Sequence, residues 1–283
     1  MIKKIHQIWI QGSKHYEETQ KEYYKISQSW SKIYPDFEYK LWSEEDFMPL
    51  MEKYSVDLPK SYHDAPNFAC KADIARYVIL YYEGGLYVDT DFEPFDKRFD
   101  FLFHDTDLVL VRAHLSKIKL IFNGGSYNQA FMYAGKLEHI FFTSLLKTIC
   151  LTPFSKSSQS KINYTLDITG PRGFAQKVAI LQLESDLKVR ILPHCMVEVA
   201  DCSNMKVTKM TKEEILLDFP FAIGVHRLAA TWIPCMQAAY TPLVLYTWIS
   251  DWSDLWLISL ILISLILFIT MVIMTCKKQK SSK

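Results

Sequence analysis

The chain has almost no net charge: 32 Lys and Arg face 31 Asp and Glu, for a formal balance of +1. Without a basic surplus there is no general electrostatic case for a nucleic-acid partner. Cysteine is equally thin. The six copies at 70, 150, 195, 202, 235 and 276 contain no C-x-x-C and no regular spacing with histidine, so the usual ligand patterns of a zinc site are absent. Cys195 and Cys202 fit a bridge in an oxidising compartment and fit free thiols equally well. No internal repeat is present, and low complexity is confined to Ser155–Lys161, SKSSQSK, which predicts a surface loop. The amino-terminal MIKKIHQIWIQG holds only a short apolar run broken by His and Gln, and so does not read as a signal peptide. Disorder is excluded away from the ends by 17 Phe, 16 Tyr and 7 Trp, since such a composition buries enough apolar surface to offset chain entropy. About 250 residues precede the one long hydrophobic run, enough for one α/β domain with a sizeable core.

That run is Leu255–Cys276, 22 residues without a formal charge. As a helix it spans roughly 33 Å, against a hydrocarbon core of about 30 Å. Trp248, Trp252 and Trp256 approach it as an interfacial belt does, and KKQKSSK follows it. The expected organisation is a large domain over 1–242, an aromatic membrane-proximal segment over 243–254, a transmembrane helix over 255–276 and a basic tail over 277–283. Two arguments compete over its orientation. The lysines after the helix, with Asp251 and Asp254 before it, favour a cytosolic tail and a large domain on the far side. The lack of a signal peptide favours a tail-anchored protein whose domain folds in the cytosol. Asn163-Tyr164-Thr165 is a glycosylation sequon and so a test of side.

The most informative stretch is Lys71–Asp91, KADIARYVILYYEGGLYVDTD. Ile74, Tyr77, Val78 and Tyr81 fall at three- and four-residue spacing and predict a helix with one apolar stripe. Asp73 and Arg76 share a helix face, either as a surface ion pair or as two groups acting on one ligand. Gly84 and Gly85 accept the left-handed conformation that ends a helix. Leu86, Tyr87 and Val88 then form a short β-rich run that delivers Asp89 and Asp91 to its end. Paired carboxylates there can hold a hard divalent cation whose other ligands are waters and substrate phosphates. A bare Asp-x-Asp is usually a solvated cap. Here it comes with Asp-x-x-Arg on a helix and a double-glycine stop.

This assembly resembles the sugar-transfer region of the glycosyltransferases that include the yeast initiating α-1,6-mannosyltransferase and the inositol-phosphoceramide mannosyltransferases, and more distantly the large clostridial glucosylating toxins. The resemblance is most specific over residues 71–91, with supporting pieces from His6 to Trp232. IHQIWIQG resembles the family's first strand, with Trp9 beside the nucleotide base, though a core tryptophan fits the composition as well. Trp30, Pro35 and Leu41-Trp42 resemble an early W…P…LW pattern, taken as the second strand and its packing. Asn128 with Met132 and His139 resembles a mid-domain stretch near donor sugar or acceptor. Thr169-Gly170-Pro171 resembles a turn closing one side of the pocket. HRLAATW resembles a His-x4-Ser-Trp motif in which His226 approaches metal or diphosphate and Thr231-Trp232 touches the diphosphate. Threonine stands where serine is usual.

The resemblance implies an α/β nucleotide-sugar-binding domain of the GT-A type, with a Rossmann-like mixed sheet, in a membrane-anchored retaining glycosyltransferase that uses Mn²⁺ or Mg²⁺. Asp91 would ligate the metal directly. Asp89 would contact the ribose and, through water, the metal. Asp73 and Arg76 would hold sugar hydroxyls and the diphosphate side, with Trp9, Tyr87 and Asn128 on the donor. GDP-mannose passed to an inositol phosphoceramide or related lipid is the first expectation and transfer to a protein-linked glycan the second. A non-catalytic sugar-nucleotide-binding membrane protein is the alternative from another class. A metal-dependent phosphohydrolase also uses paired aspartates, but leaves the helix–Gly-Gly–strand setting and HRLAATW unexplained. The implied location is the Golgi or endoplasmic reticulum, with the domain lumenal. The sequence exposes no carboxylate pair that can be assigned as nucleophile and acid, so no covalent intermediate is named.

Overall fold

Strand β1 (Lys4–Ile8) lies at the centre of one half of the sheet and is buried from Ile5 to Ile8. Polar side chains there are used in full. The His6 ring accepts from Trp42 Nε1 at Nδ1 (3.1 Å), so Nε2 carries the proton and donates to the Gly84 carbonyl (2.8 Å). Burial pulls this imidazole down to about 4, and it stays neutral. Helices α1 (Ser13–Thr19) and α2 (Lys21–Ile33) carry the chain over to β2 (Glu38–Trp42), which pairs with β1 in parallel, Ile5 opposite Tyr39 and Ile8 opposite Trp42. Helix α3 (Glu44–Tyr54) starts at a Ser43–Asp46 capping box. After α4 (Asp57–His63), Asn67 caps α5 (Phe68–Glu83) by accepting from Cys70 N at 2.9 Å.

This computed structural model describes residues 1–97, 100–112, 127–155, 160–181, 187–197 and 205–227. The expected membrane-proximal segment 243–254, transmembrane helix 255–276 and tail 277–283 lie outside the described residues, as do Thr231, Trp232, Cys202 and positions 156–159 of the serine-rich patch. No helix among the described residues is long and apolar enough to cross a membrane. Among them Cys70, Cys150 and Cys195 are free thiols.

Helix α5 departs from its expected single stripe: every residue from Asp73 to Leu80 is buried. It packs against α3, the helix Ile140–Leu151 and the sheet at once, so no face is left for solvent. Gly84 (φ 61°) and Gly85 (φ 80°) then turn the chain into β3 (Gly85–Val88). A Cβ on Gly85 would sit 2.7 Å from the Lys4 carbonyl. The glycine therefore serves both the left-handed turn and the close approach of β1.

The main sheet runs β2-β1-β3-β6-β5-β7, with β5 Leu108–Arg112, β6 Tyr127–Ala134 and β7 Val189–Leu192. β6 is antiparallel to both its neighbours and the other pairings are parallel, so the sheet is mixed. Alternation along the strands splits the core in two. Tyr87, Leu108 and Leu110 face α3, α5 and the helices Ile140–Leu151 and Pro171–Leu181; Leu86, Val88, Val109 and Val111 join Trp30 and Tyr34 of the α2 side. Beyond the sheet, β4 (Phe92–Pro94) and β8 (Gly224–His226) form an antiparallel ribbon over a small core of Phe95, Val207, Ile215, Ala222 and Val225.

Candidate active site

The carboxyl ends of parallel β1 and β3 lie side by side, the place where open α/β sheets bind ligands. β3 delivers Asp89 and Asp91 there, and β4 begins at the next residue. Its register with β8 sets Phe92 opposite His226, which brings a side chain from far along the sequence against the acidic pair. His226 Nε2 lies 3.1 Å from Asp91 Oδ1 and 3.9 Å from Asp89 Oδ2. One ligand atom from each of the three falls within 4.8 Å of the others. Two carboxylate oxygens and one imidazole nitrogen converging at that spacing fit a divalent cation, and three protein donors leave coordination positions for phosphate and water. Among the described residues this is the one such group.

Arg76 joins the pair to α5. Its guanidinium sits 3.4 Å from both Asp73 Oδ1 and Asp89 Oδ1, donates to the Gln129 carbonyl at 2.9 Å and lies 4.7 Å from the centre of the Tyr87 ring. The Asp73 and Arg76 side chains are 8% and 9% exposed, which rules out a surface ion pair of a few tenths of a kcal/mol. Removing one partner of a buried pair leaves an uncompensated charge, at a cost of about 3–5 kcal/mol. Burial pushes the Asp73 carboxyl up to about 7, against the pull of Arg76 and of Thr169. Thr169 Oγ1 donates to Asp73 Oδ2 at 2.9 Å. The Thr169 carbonyl accepts from Tyr77 and, at 2.9 Å, from Gln129 Nε2, which also donates to the Tyr77 hydroxyl. The Thr169-Gly170-Pro171 turn is thus wired to the ion pair, and Pro171 opens the following helix.

The other expected donor contacts differ in placement. Trp9 is half-buried just past β1, its ring stacked on Tyr16 (4.2 Å, 19°) and its Nε1 donating to His15 Nδ1 at 3.1 Å. It is therefore only half-buried and not a core tryptophan. Tyr87 is 2% exposed; its hydroxyl donates to Asp89 Oδ1 at 2.8 Å and its ring lies against Arg76, so its reach into the site is through those two groups. Asn128 is half-buried at the same sheet end, because Asp89 N donates to the Ala130 carbonyl (2.8 Å) while Asn128 Oδ1 accepts from Ala130 N (2.6 Å). Met132 and His139 are corrections. Met132 pairs with Tyr87 in the core, and β6 then runs away from the acidic pair, Ala134 opposite Gly85. His139 lies beyond that far end and caps the helix Ile140–Leu151.

Sequence reasoning missed several partners. Gln7 Nε2 donates to the Asp89 carbonyl (3.0 Å), Tyr16 to the Thr90 carbonyl (3.2 Å) and Arg227 N to the Asp91 carbonyl (2.9 Å). Arg227 also pairs with Glu93 across the ribbon and donates to the carbonyls of Thr208 (2.9 Å) and Met210 (2.8 Å). Gln7, a buried amide on the first strand beside His6, was the one legible signal.

Residues 20–113 match the profile described as a glycosyltransferase sugar-binding region containing a DXD motif. The chain is 34% identical over 99 residues to an uncharacterised glycosyltransferase of Acanthamoeba polyphaga mimivirus, covering 31% of this chain and 34% of that one. It is 34% identical over 90 residues to inositol phosphoceramide mannosyltransferase 3 of Schizosaccharomyces pombe (31% and 23%). It is 31% identical over 94 residues to the initiation-specific alpha-1,6-mannosyltransferase of Saccharomyces cerevisiae (31% and 19%). The chain thus spans between 19% and 34% of each relative's length. Asp89-Thr90-Asp91 falls inside the matched stretch, and the chain carries a glycosyltransferase sugar-binding region with its DXD motif.

Proposed function

We propose that this chain is a metal-dependent glycosyltransferase of the GT-A type that moves a hexose from a sugar nucleotide to a membrane-associated acceptor with retention of configuration. The observation that carries the reading is the convergence of Asp89, Asp91 and His226 beside the buried Asp73–Arg76 pair. Asp89, Asp91 and His226 would hold Mn²⁺, for which a mixed oxygen and nitrogen donor set is better suited than for Mg²⁺. When bound, the cation neutralises charge on the departing diphosphate. Half-buried Trp9 would stack its ring on the base. Arg76, fixed between Asp73 and Asp89, presents positive charge to the diphosphate side without reorganising. Asp73 accepts from sugar hydroxyls while ionised. Asn128, Thr231 and Trp232 complete the donor contacts.

GDP-mannose is the first choice of donor and an inositol phosphoceramide or related lipid the first choice of acceptor. The names of two relatives support mannose, one of them with that lipid, and a hydrophobic run at Leu255–Cys276 would hold the site near a membrane acceptor, in the Golgi or endoplasmic reticulum lumen. Transfer to a protein-linked glycan is the second reading, favoured by the likeness to an initiation-specific mannosyltransferase. The test is nucleoside diphosphate release from a panel of sugar nucleotides with Mn²⁺, with and without inositol phosphoceramide or an oligomannose acceptor. The proposal expects GDP-mannose to be turned over fastest and the lipid to accelerate it. Preference for another donor would overturn the mannose assignment, and turnover of none would overturn the enzymatic reading.

A further inference from the structure

The backbone of the Asp89-Thr90-Asp91 loop is pinned at three successive carbonyls by donors from three separate elements. Gln7 Nε2 of β1 holds the Asp89 carbonyl at 3.0 Å, Tyr16 of α1 holds the Thr90 carbonyl at 3.2 Å, and the Arg227 amide just past β8 holds the Asp91 carbonyl at 2.9 Å. Tyr16 differs from the other two. Its side chain is fully buried, with Tyr24 edge-on at 5.5 Å, and its ring is the support on which Trp9 lies at 4.2 Å and 19°. One side chain therefore carries the aromatic platform on its face and grips the middle of the acidic triplet with its hydroxyl.

We propose that Tyr16 is a positioning residue that makes the Trp9 platform and the Asp89/Asp91/His226 group one mechanical unit, so that a planar base stacked on Trp9 tightens divalent-cation binding without any phosphate contact. The inference rests on the metal-dependent reading above. The physical argument is one of order. A base packed on the half-buried Trp9 ring restrains the Trp9–Tyr16 stack, the restrained Tyr16 hydroxyl holds Thr90, and a loop already ordered loses less freedom when a cation binds. Linkage makes the effect reciprocal: the cation must tighten the base by the same factor. A nucleoside diphosphate would mask this, because its phosphates ligate the cation directly. A nucleoside has no such contact and isolates the route through Tyr16.

The experiment measures the Mn²⁺ dissociation constant of the full chain by titration, alone and with saturating guanosine or uridine. In the unsubstituted protein one of these nucleosides should tighten Mn²⁺ by about twofold to fivefold. Tyr16→Phe keeps the stacked ring and removes the hydroxyl. It should weaken Mn²⁺ roughly threefold to tenfold, the fold-change expected for one lost hydrogen bond. It should abolish the nucleoside effect while nucleoside affinity stays within about twofold of the original. Trp9→Leu should lose nucleoside binding and, with it, the nucleoside-dependent tightening of Mn²⁺. Absence of any nucleoside effect in the unsubstituted protein, or its survival in Tyr16→Phe, overturns the inference. So does a Tyr16→Phe chain that only melts earlier, with Mn²⁺ affinity unchanged. If the unsubstituted protein binds no Mn²⁺, the metal reading itself falls, and the inference with it.

Discussion

Replacing Thr169 by valine removes one hydroxyl and leaves the side-chain shape almost intact. That hydroxyl has a single proton, and Asp73 Oδ2 at 2.9 Å is a nearer acceptor than the Thr165 carbonyl at 3.2 Å. A hydrogen bond to an ionised group contributes about 1.5–3 kcal/mol, and one pKa unit corresponds to about 1.4 kcal/mol. The Asp73 carboxyl, already pushed by burial to about 7, should therefore move to roughly 8–9 in Thr169→Val. If ionised Asp73 is what receives the sugar, the acidic limb of kcat/KM for donor turnover moves up with it. The assay is a pH profile at saturating Mn²⁺, repeated at several Mn²⁺ concentrations. A limb caused by a metal-ligating histidine shifts with metal concentration, because metal and proton compete, whereas the Asp73 limb does not. Stability carries the same signature. A carboxyl whose folded pKa is raised binds more protons folded than unfolded between about 4 and 7. Its stabilisation is complete below about 4 and is lost as pH rises through 7, on the order of 4 kcal/mol in all. Asp73→Asn should flatten that slope. A Thr169→Val enzyme with normal melting temperature and an unmoved acidic limb would show that Asp73 is not the group that titrates.

Further outcomes can be checked independently. Arg76→Lys replaces a fork that touches Asp73, Asp89 and the Gln129 carbonyl with a point charge, so kcat/KM should fall at least about tenfold; steady-state kinetics and melting temperature are read together, and a loss of stability without a kinetic loss contradicts the donor role. Arg227→Met frees the β4–β8 ribbon from its Glu93 tie and should raise the Mn²⁺ half-saturation about tenfold by loosening His226, an effect of the size seen when supports of metal ligands are removed. Asn163 is exposed, whereas the Thr165 hydroxyl accepts from Asn67 and donates to the Lys161 carbonyl. Glycosylation would thus precede folding of this turn. A lumenal domain expressed in a eukaryotic cell should run heavier by one glycan, Asn163→Gln should remove the shift, and digestion of the domain in sealed microsomes would contradict the lumenal placement.

What the sequence exposed was local. The α5–Gly84–Gly85–β3 unit and the arrival of Asp89 and Asp91 at a strand end all lie within Lys71–Asp91, where helix spacing, glycine and β-rich residues signal themselves. Burial of the Asp73–Arg76 pair was not legible, because α5 carries polar residues on a face that other elements cover, and covering is a tertiary event. Thr169 lies 96 residues from Asp73 and Gln129 lies 53 from Arg76; hydrogen bonds of that span have no periodicity to betray them. His226 was reachable only through its motif, since its approach depends on the register of a three-residue strand. The misplacement of Met132 and His139 has a related cause. Both follow Asn128 closely in sequence, but β6 is antiparallel and carries them away from the site.

As proposed above, Asp89, Asp91 and His226 would hold a divalent cation for sugar transfer. The most direct measurement is sugar-nucleotide turnover by the full chain against Asp91→Asn, each titrated with Mn²⁺ and stripped with chelator. Turnover should vanish with chelator, return with Mn²⁺, and be lower in Asp91→Asn by at least about a hundredfold, roughly 3 kcal/mol of transition-state stabilisation. The fold should be little changed, since the substitution relieves an acidic cluster. Turnover that survives chelation, or an Asp91→Asn enzyme close to the unsubstituted rate at saturating Mn²⁺, would contradict the metal assignment.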